Sequence, residues 1–180
     1  MSVIDIRYWW YEQDGSTYAP PGGKNMSPRQ FERVIKHKAS SFDAVYRAVR
    51  EYREKYPDKA VVYSSDGQNP FAWAALMGGG SLATVRVPLD ANLRAEIPRM
   101  QPADLLRGAR GQYLLVEPSE NYLVYSTGRD TIALNLPAGA QFAERWINPR
   151  SGEMSQETTA AAGQFKSPGG GMTVLWLSRK

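Results

Sequence analysis

NYLVYSTGRDTIALNLPAGAQFAERWINPRSG, residues 121–152, decides how this 180-residue chain is read. It contains three short apolar runs with a period near two. A turn signal ends each run: Ser126-Thr127-Gly128-Arg129-Asp130, then Leu136-Pro137-Ala138-Gly139, then Asn148-Pro149-Arg150-Ser151-Gly152. Short strands at this spacing, with glycine and proline between them, predict an antiparallel β-sandwich built from hairpins. Extending the pattern outward places strands near 112–117, 121–126, 130–136, 141–147, 153–157 and 172–178. Ser167-Pro168-Gly169-Gly170-Gly171 forms the turn before the last of them.

Upstream of residue 111 the period changes. Residues 3–10 (VIDIRYWW) read as a buried strand, with Ile4, Ile6 and Tyr8 on one face and Asp5, Arg7 and Trp9 on the other. A long loop over residues 12–26 follows, of a length that is often functional. Ser27-Pro28-Arg29-Gln30 carries the signature of a helix start. A second helix begins near Ser40. Phe42, Val45, Val49, Tyr52 and Tyr56 recur at helical spacing, and Pro57 ends it. Residues 59–65 (KAVVYSS) are a second strand. Strand, helix, strand over this distance predicts a parallel, right-handed crossover. A short apolar helix over 71–77 closes on Gly78-Gly79-Gly80, and residues 82–87 (LATVRV) read as a third strand. Residues 90–110 read as a connection.

The fold class expected is therefore α/β plus all-β. A partial (β/α) barrel segment of about three parallel strands with their helices is followed by an antiparallel β-sandwich. The domains expected are 1–95 for the β/α segment, 96–110 for the connection and 111–180 for the sandwich.

Composition narrows the chemistry. A 42% hydrophobic fraction supports a buried core, and the net charge of +4 is spread along the chain. Arg33, Lys36, His37 and Lys38 read as a solvated helix face, so no nucleic-acid partner is expected. No apolar run spans a bilayer, and the N-terminus has no signal-peptide pattern, so no membrane partner is expected and the compartment stays undetermined. The absence of cysteine removes disulfides, thiolate zinc sites and thiol nucleophiles. A single histidine, His37, cannot supply a histidine metal cluster or a Ser-His-Asp triad from one chain. No metal and no cofactor is expected. Gly78-Gly79-Gly80 follows a helix instead of opening one, so it reads as a helix stop.

Carboxylate chemistry remains. Glycoside hydrolysis uses two carboxyl groups flanking one glycosidic bond. In β/α folds such groups sit where parallel strands end. Asp5 lies on the first strand, Glu12 just after it and Asp66 just after the second, and these three are the candidate catalytic residues. Tyr8, Trp9, Trp10 and Tyr11 cluster at the same strand end. Aromatic faces stack on sugar rings, while neighbouring polar groups bind hydroxyls. Arg7, Tyr8, Trp9, Trp10 and Ser65 are thus the candidate saccharide-binding residues.

The segments IDIRYWWYEQDG, NMSPRQFERV, AVVYSS and FAWAALMGGGS, followed by DTIALNLPAG and RWINPRSGE, together resemble a family of glycoside hydrolases of bacterial polysaccharide degradation. Those proteins have a (β/α)8 barrel followed by a C-terminal β-sandwich often labelled a collagen-binding domain. The resemblance implies that residues 3–10, 60–65 and 82–87 correspond to barrel strands six, seven and eight. It also implies that strands one to five, with the glutamate acid/base after the fourth, lie outside this chain. The nucleophile position at the end of strand seven falls on Ser64-Ser65-Asp66. A shifted alignment, with 3–10 as strand seven, falls on Glu12. The resemblance implies a polysaccharide or oligosaccharide partner and a secreted or periplasmic full-length protein. The expectation for this chain alone is a glycoside-hydrolase-related protein, incomplete or inactive by itself. It would be covered by self-association or by the remaining barrel portion. The alternative is a non-catalytic carbohydrate- or protein-binding module.

Overall fold

A computed structural model describes residues 3–6, 41–63, 71–81, 85–104, 110–128, 131–161 and 163–180. The chain opens with strand β1 (Val3–Ile6), followed by helix α1 (Phe42–Lys55) and strand β2 (Ala60–Tyr63). Ser41 caps α1 by accepting a hydrogen bond from the Ala44 amide at 3.1 Å, and Asp43 places an acid in the first turn. Val45, Tyr46, Ala48 and Val49 form the buried stripe of α1. The helix stops at Tyr56, one residue before Pro57. β1 and β2 pair in parallel, from Val3 opposite Ala60 to Ile6 opposite Tyr63, as the crossover reading requires.

Helix α2 (Ala72–Met77) is buried along its whole length and stops at Gly78. Helix α3 (Ala91–Glu96) is capped by Asp90 and runs into a 3-10 turn, Ile97–Arg99. The remaining regular structure among the described residues is all strand: β3 (Gln101–Ala103), β4 (Gln112–Glu117), β5 (Asn121–Ser126), β6 (Thr131–Ala133), β7 (Phe142–Ile147), β8 (Thr158–Ala160), β9 (Gln164–Lys166) and β10 (Thr173–Arg179).

 Six of these strands form one antiparallel sheet in the order β3-β4-β5-β10-β7-β8, and β6 pairs with β9 in a separate antiparallel ribbon.

Both faces of the large sheet are covered, which is why its central strands are apolar at nearly every position. Tyr113, Leu115, Leu123, Tyr125, Val174 and Trp176 point to one core, shared with α1, α2, Ile6 and Val61. The intervening residues Leu114, Val116, Tyr122, Val124, Leu175 and Leu177 point to a second core, closed by Ile132 of β6 and Phe165 of β9. The alternation follows from the antiparallel register, in which Val174 faces Tyr125 and Trp176 faces Leu123. Burial of these side chains removes the largest share of apolar surface from water, at roughly 25 cal/mol per Å².

The expected partial barrel of three parallel strands is not what forms. The protein is mostly antiparallel sheet with a few short helices, and its parallel sheet has two strands, β1 and β2. Of the third expected strand, residues 82–84 lie outside the described residues and 85–87 are not in a strand. The reason is local. Ser81 occupies the free edge of β2, its amide donating to the Val61 carbonyl at 2.8 Å and its hydroxyl accepting from the Val61 amide at 3.1 Å. Beyond it, Val85, Val87 and Leu89 pack onto the shared core, and Pro88 has no amide proton to offer a ladder. Two strands cannot close a barrel, so the assignment of barrel strands six to eight falls with it. The sheet content downstream fits a β-sandwich. One expected strand, 153–157, is displaced. Met154 makes only an isolated bridge to Ile147, and the edge strand forms at Thr158–Ala160. The stretch read as a connection carries α3, the 3-10 turn and β3.

Candidate functional site

The parallel pair brings two chain exits together. Ile6 and Tyr63 are register partners, so β1 and β2 both end on the same edge of their sheet. Ile6 is buried and Ile4 half-buried, while Asp5, which pairs with Val62, is exposed on the opposite face. This alternation matches the face assignment read from the sequence. Asp5 therefore presents a carboxylate one residue before the strand ends. One carboxylate can transfer a proton or bind a hydroxyl, but glycosidic cleavage requires a second. Glu12, Asp66, Arg7, Tyr8, Trp9, Trp10 and Ser65 lie outside the described residues, as does His37. Among the described residues no group of three or more potential metal ligands is found, and no helix is long and apolar enough to cross a membrane.

A second feature sits at one end of the large sheet. The Asn148–Gly152 turn is pinned from both sides. Asn148 Oδ1 accepts from the Arg150 amide at 2.9 Å, the Gly152 amide donates to the Asn148 carbonyl at 2.8 Å, and the Asn148 amide donates to the Glu153 carbonyl at 2.8 Å. The Trp73 indole of α2 donates to the Pro149 carbonyl at 2.9 Å, across 76 residues of sequence. Gly152 has a φ of +79°, and a Cβ there would stand 2.7 Å from the Pro88 carbonyl oxygen. The turn that read as the end of a sandwich strand is thus the seam that fixes the sheet to the N-terminal elements. Sequence reasoning found the turn but not its partner. An indole-to-carbonyl contact over that separation leaves no local signal.

Opposite this turn lies the Ser167–Met172 loop. Ser167 holds it by donating its hydroxyl to the Gly169 carbonyl at 2.7 Å, and Met172 Sδ accepts from the Tyr125 hydroxyl at 3.4 Å. Burial raises the pKa of the Tyr125 hydroxyl, with the Arg150 charge pulling it back. Tyr125 belongs to an aromatic cluster with Phe42 at 4.6 Å and Trp73 at 5.7 Å between ring centroids. Between the two loops is a cleft of about 380 Å³, lined by Trp146, Asn148, Glu153, Met154, Gly170 and Met172 among others.

Several charged side chains elsewhere are paired. Arg50 forks onto Asp104 at 2.5 and 2.7 Å, which holds the Asp104 carboxyl below its usual range and ties α1 to the end of β3. Glu96 accepts from the Trp176 indole at 3.1 Å, and burial raises its pKa. The Arg145 guanidinium stacks 4.5 Å from the Trp176 ring. These contacts bind elements together.

A family model described as "Domain of unknown function (DUF6298)" matches residues 1–100. A solved structure described as "Glycoside hydrolase" is similar over 80% of this chain and 40% of that chain, at 13% identity and a TM-score of 0.42. This chain thus spans 40% of the length of that structure. No curated protein matches.

Proposed function

The chain belongs to the DUF6298 family, and we propose that it is a carbohydrate-handling protein related to the glycoside hydrolases. Saccharide is contacted at the edge where β1 and β2 end. The observation that carries the reading is the parallel register of Ile6 with Tyr63. It sets two strand exits side by side, with the Asp5 carboxylate exposed next to them. Ligands of sheets with parallel strands bind beyond the carboxyl ends of those strands. The sequence attached to these two ends supplies the right chemistry: Arg7, Tyr8, Trp9, Trp10 and Glu12 after one, Ser65 and Asp66 after the other.

In this reading the aromatic residues stack on sugar rings, and Arg7 and Ser65 bind hydroxyls. Turnover draws on two carboxyl groups from Asp5, Glu12 and Asp66, one protonating the glycosidic oxygen and one acting as nucleophile or base. The test is hydrolysis of a panel of aryl glycosides and plant-type polysaccharides. Asp66→Asn abolishes any hydrolysis observed, and unchanged turnover in that variant removes Asp66 from the mechanism. The second reading is a non-catalytic binding module. It is supported by the cleft at the end of the sheet, and it predicts saturable binding of saccharide without turnover.

A further inference from the structure

We propose that the cleft between the Asn148–Gly152 turn and the Ser167–Met172 loop is a separate saccharide-binding site. The site stands on its own geometry; the choice of ligand rests on the carbohydrate reading above. Three observations converge on it.

The first is exposed apolar surface. Among the described residues the exposed large hydrophobic side chains are Val3, Met154 and Met172, and the two methionines, 41% and 39% exposed, line this one cleft. Thioether side chains are polarizable and adapt to the shape of a ligand. The second is glycine without an internal reason. Gly169 and Gly170 have no positive φ, and a Cβ on either would meet nothing within 4 Å. Neither backbone strain nor crowding requires glycine there. What bare backbone does at such a position is admit a ligand closely along the wall. The third is preorganisation. One wall is pinned to α2 through Trp73 and Pro149, and the other is held by Ser167 and by Tyr125 donating to Met172. A cleft fixed before binding loses little freedom when it is filled.

The lining matches a sugar ring. A pyranose has C–H faces and a rim of hydroxyls. Met154 and Met172 supply apolar surface for the face. Asn148 uses its Oδ1 within the turn, which leaves its Nδ2 as a donor, while Glu153 accepts from Ser151 through Oε2 at 2.9 Å and retains Oε1 as an acceptor. A donor and an acceptor on one turn suit adjacent hydroxyls. The volume of about 380 Å³ falls at the lower end of small-molecule sites, which run to roughly 300–1,000 Å³. This size fits one or two sugar units.

The methionines report on the site directly. The full chain, labelled at the methionine methyl carbons, is titrated with xylo-, cello-, arabino- and galacto-oligosaccharides to about 10 mM, which covers weak millimolar binding. The Met154 and Met172 signals shift saturably with at least one of these, while the buried Met77 and Met100 signals stay in place and report an intact fold. Gly170→Val fills the cleft and weakens that binding by about tenfold or more. Should Gly170→Val misfold, Met154→Ala, at an exposed position, serves instead. Three results overturn the proposal: no shift with any oligosaccharide, shifts of unchanged affinity in the filled-cleft variant, or shifts produced only by peptides. Saccharide binding that Asp5→Asn removes while Met154 and Met172 stay silent overturns it as well, and leaves the strand-edge site standing. Loss of the methionine shifts in Gly170→Val with Asp5→Asn unchanged does the reverse.

Discussion

Replacing Trp73 with phenylalanine isolates the contact that fixes the sheet to the helices. Trp73 and Trp146 are both 8% exposed, and each donates one indole hydrogen bond. Their acceptors differ. Trp73 donates to the buried Pro149 carbonyl at 2.9 Å, whereas Trp146 donates at 2.7 Å to the carboxylate of half-buried Glu144. Removing the indole N–H from Trp73 strands a carbonyl away from water, which costs about 1–3 kcal/mol. The smaller ring loses apolar contact worth roughly 1 kcal/mol more. Trp73→Phe is therefore expected to lose about 2–4 kcal/mol. At about 2–4 °C per kcal/mol for a chain of this size, the melting temperature falls by roughly 4–16 °C. Trp146→Phe loses similar ring area, but water can solvate the released carboxylate, so its loss is smaller by about 1–2 kcal/mol. Urea unfolding of both variants measures the difference. Hydrogen exchange then locates it, with faster exchange of the Asn148 and Gly152 amides in Trp73→Phe alone. Equal losses in the two variants, or unchanged exchange in the turn, would refute the reasoning.

Gly152→Ala combines left-handed strain with a clash at the Pro88 carbonyl, while Gly139→Ala, at a φ of +76° in open space, carries the strain alone. The second is expected to cost about 1–2 kcal/mol and the first clearly more, by denaturant unfolding. Burial of Glu96 raises its pKa, with the Trp176 hydrogen bond and Arg99 opposing. A folded-state value above the unfolded one makes ionisation of Glu96 unfavourable to folding at neutral pH, and that penalty disappears as the pH falls through the folded value. Glu96→Gln should accordingly raise the melting temperature more at pH 7 than at pH 4, and an equal change at both would contradict this. β1 pairs only with β2 among the described residues, and Val3 beside its open edge is 59% exposed. Self-association through this edge is expected in sedimentation velocity, weakened by Val3→Lys, and a monomer at all concentrations would count against it.

Much of the architecture follows from local pattern. The strands at 112–117 and 121–126 coincide with β4 and β5, because their turns carry strong signals and their runs are long enough to show a period. The crossover from β1 to β2 was readable from the apolar stripe of α1 and from Pro57. What misled was the run at 82–87, of which the described Val85 and Val87 suit a strand by their β-branching but pack onto the core, Val87 lying beside Gly152 as well. Tertiary contact overrode propensity there. β9 went unseen because it has three residues, of which only Phe165 faces inward, too few for periodicity. Residues 153–157 are exposed throughout, so they bury no apolar face, and beside β7 they make only an isolated bridge and scattered hydrogen bonds in place of a ladder. Of the candidate site, Asp5 lies on the strand face opposite Ile4 and Ile6 that its alternation implied, though exposed where the run read as a buried strand, and the other candidate residues lie outside the described residues. The cleft beside Met154 and Met172 was invisible to sequence reasoning, since it forms from two turns brought together only by the β7–β10 pairing.

The central claim is saccharide contact at the edge where β1 and β2 end, and affinity electrophoresis tests it most directly. The full chain is run through gels containing soluble plant-type polysaccharides beside a Trp9→Ala/Trp10→Ala variant. Retardation of the parent by at least one polysaccharide, relieved in the variant, is the predicted result. Unretarded migration in every gel, or equal retardation of both proteins, would contradict it.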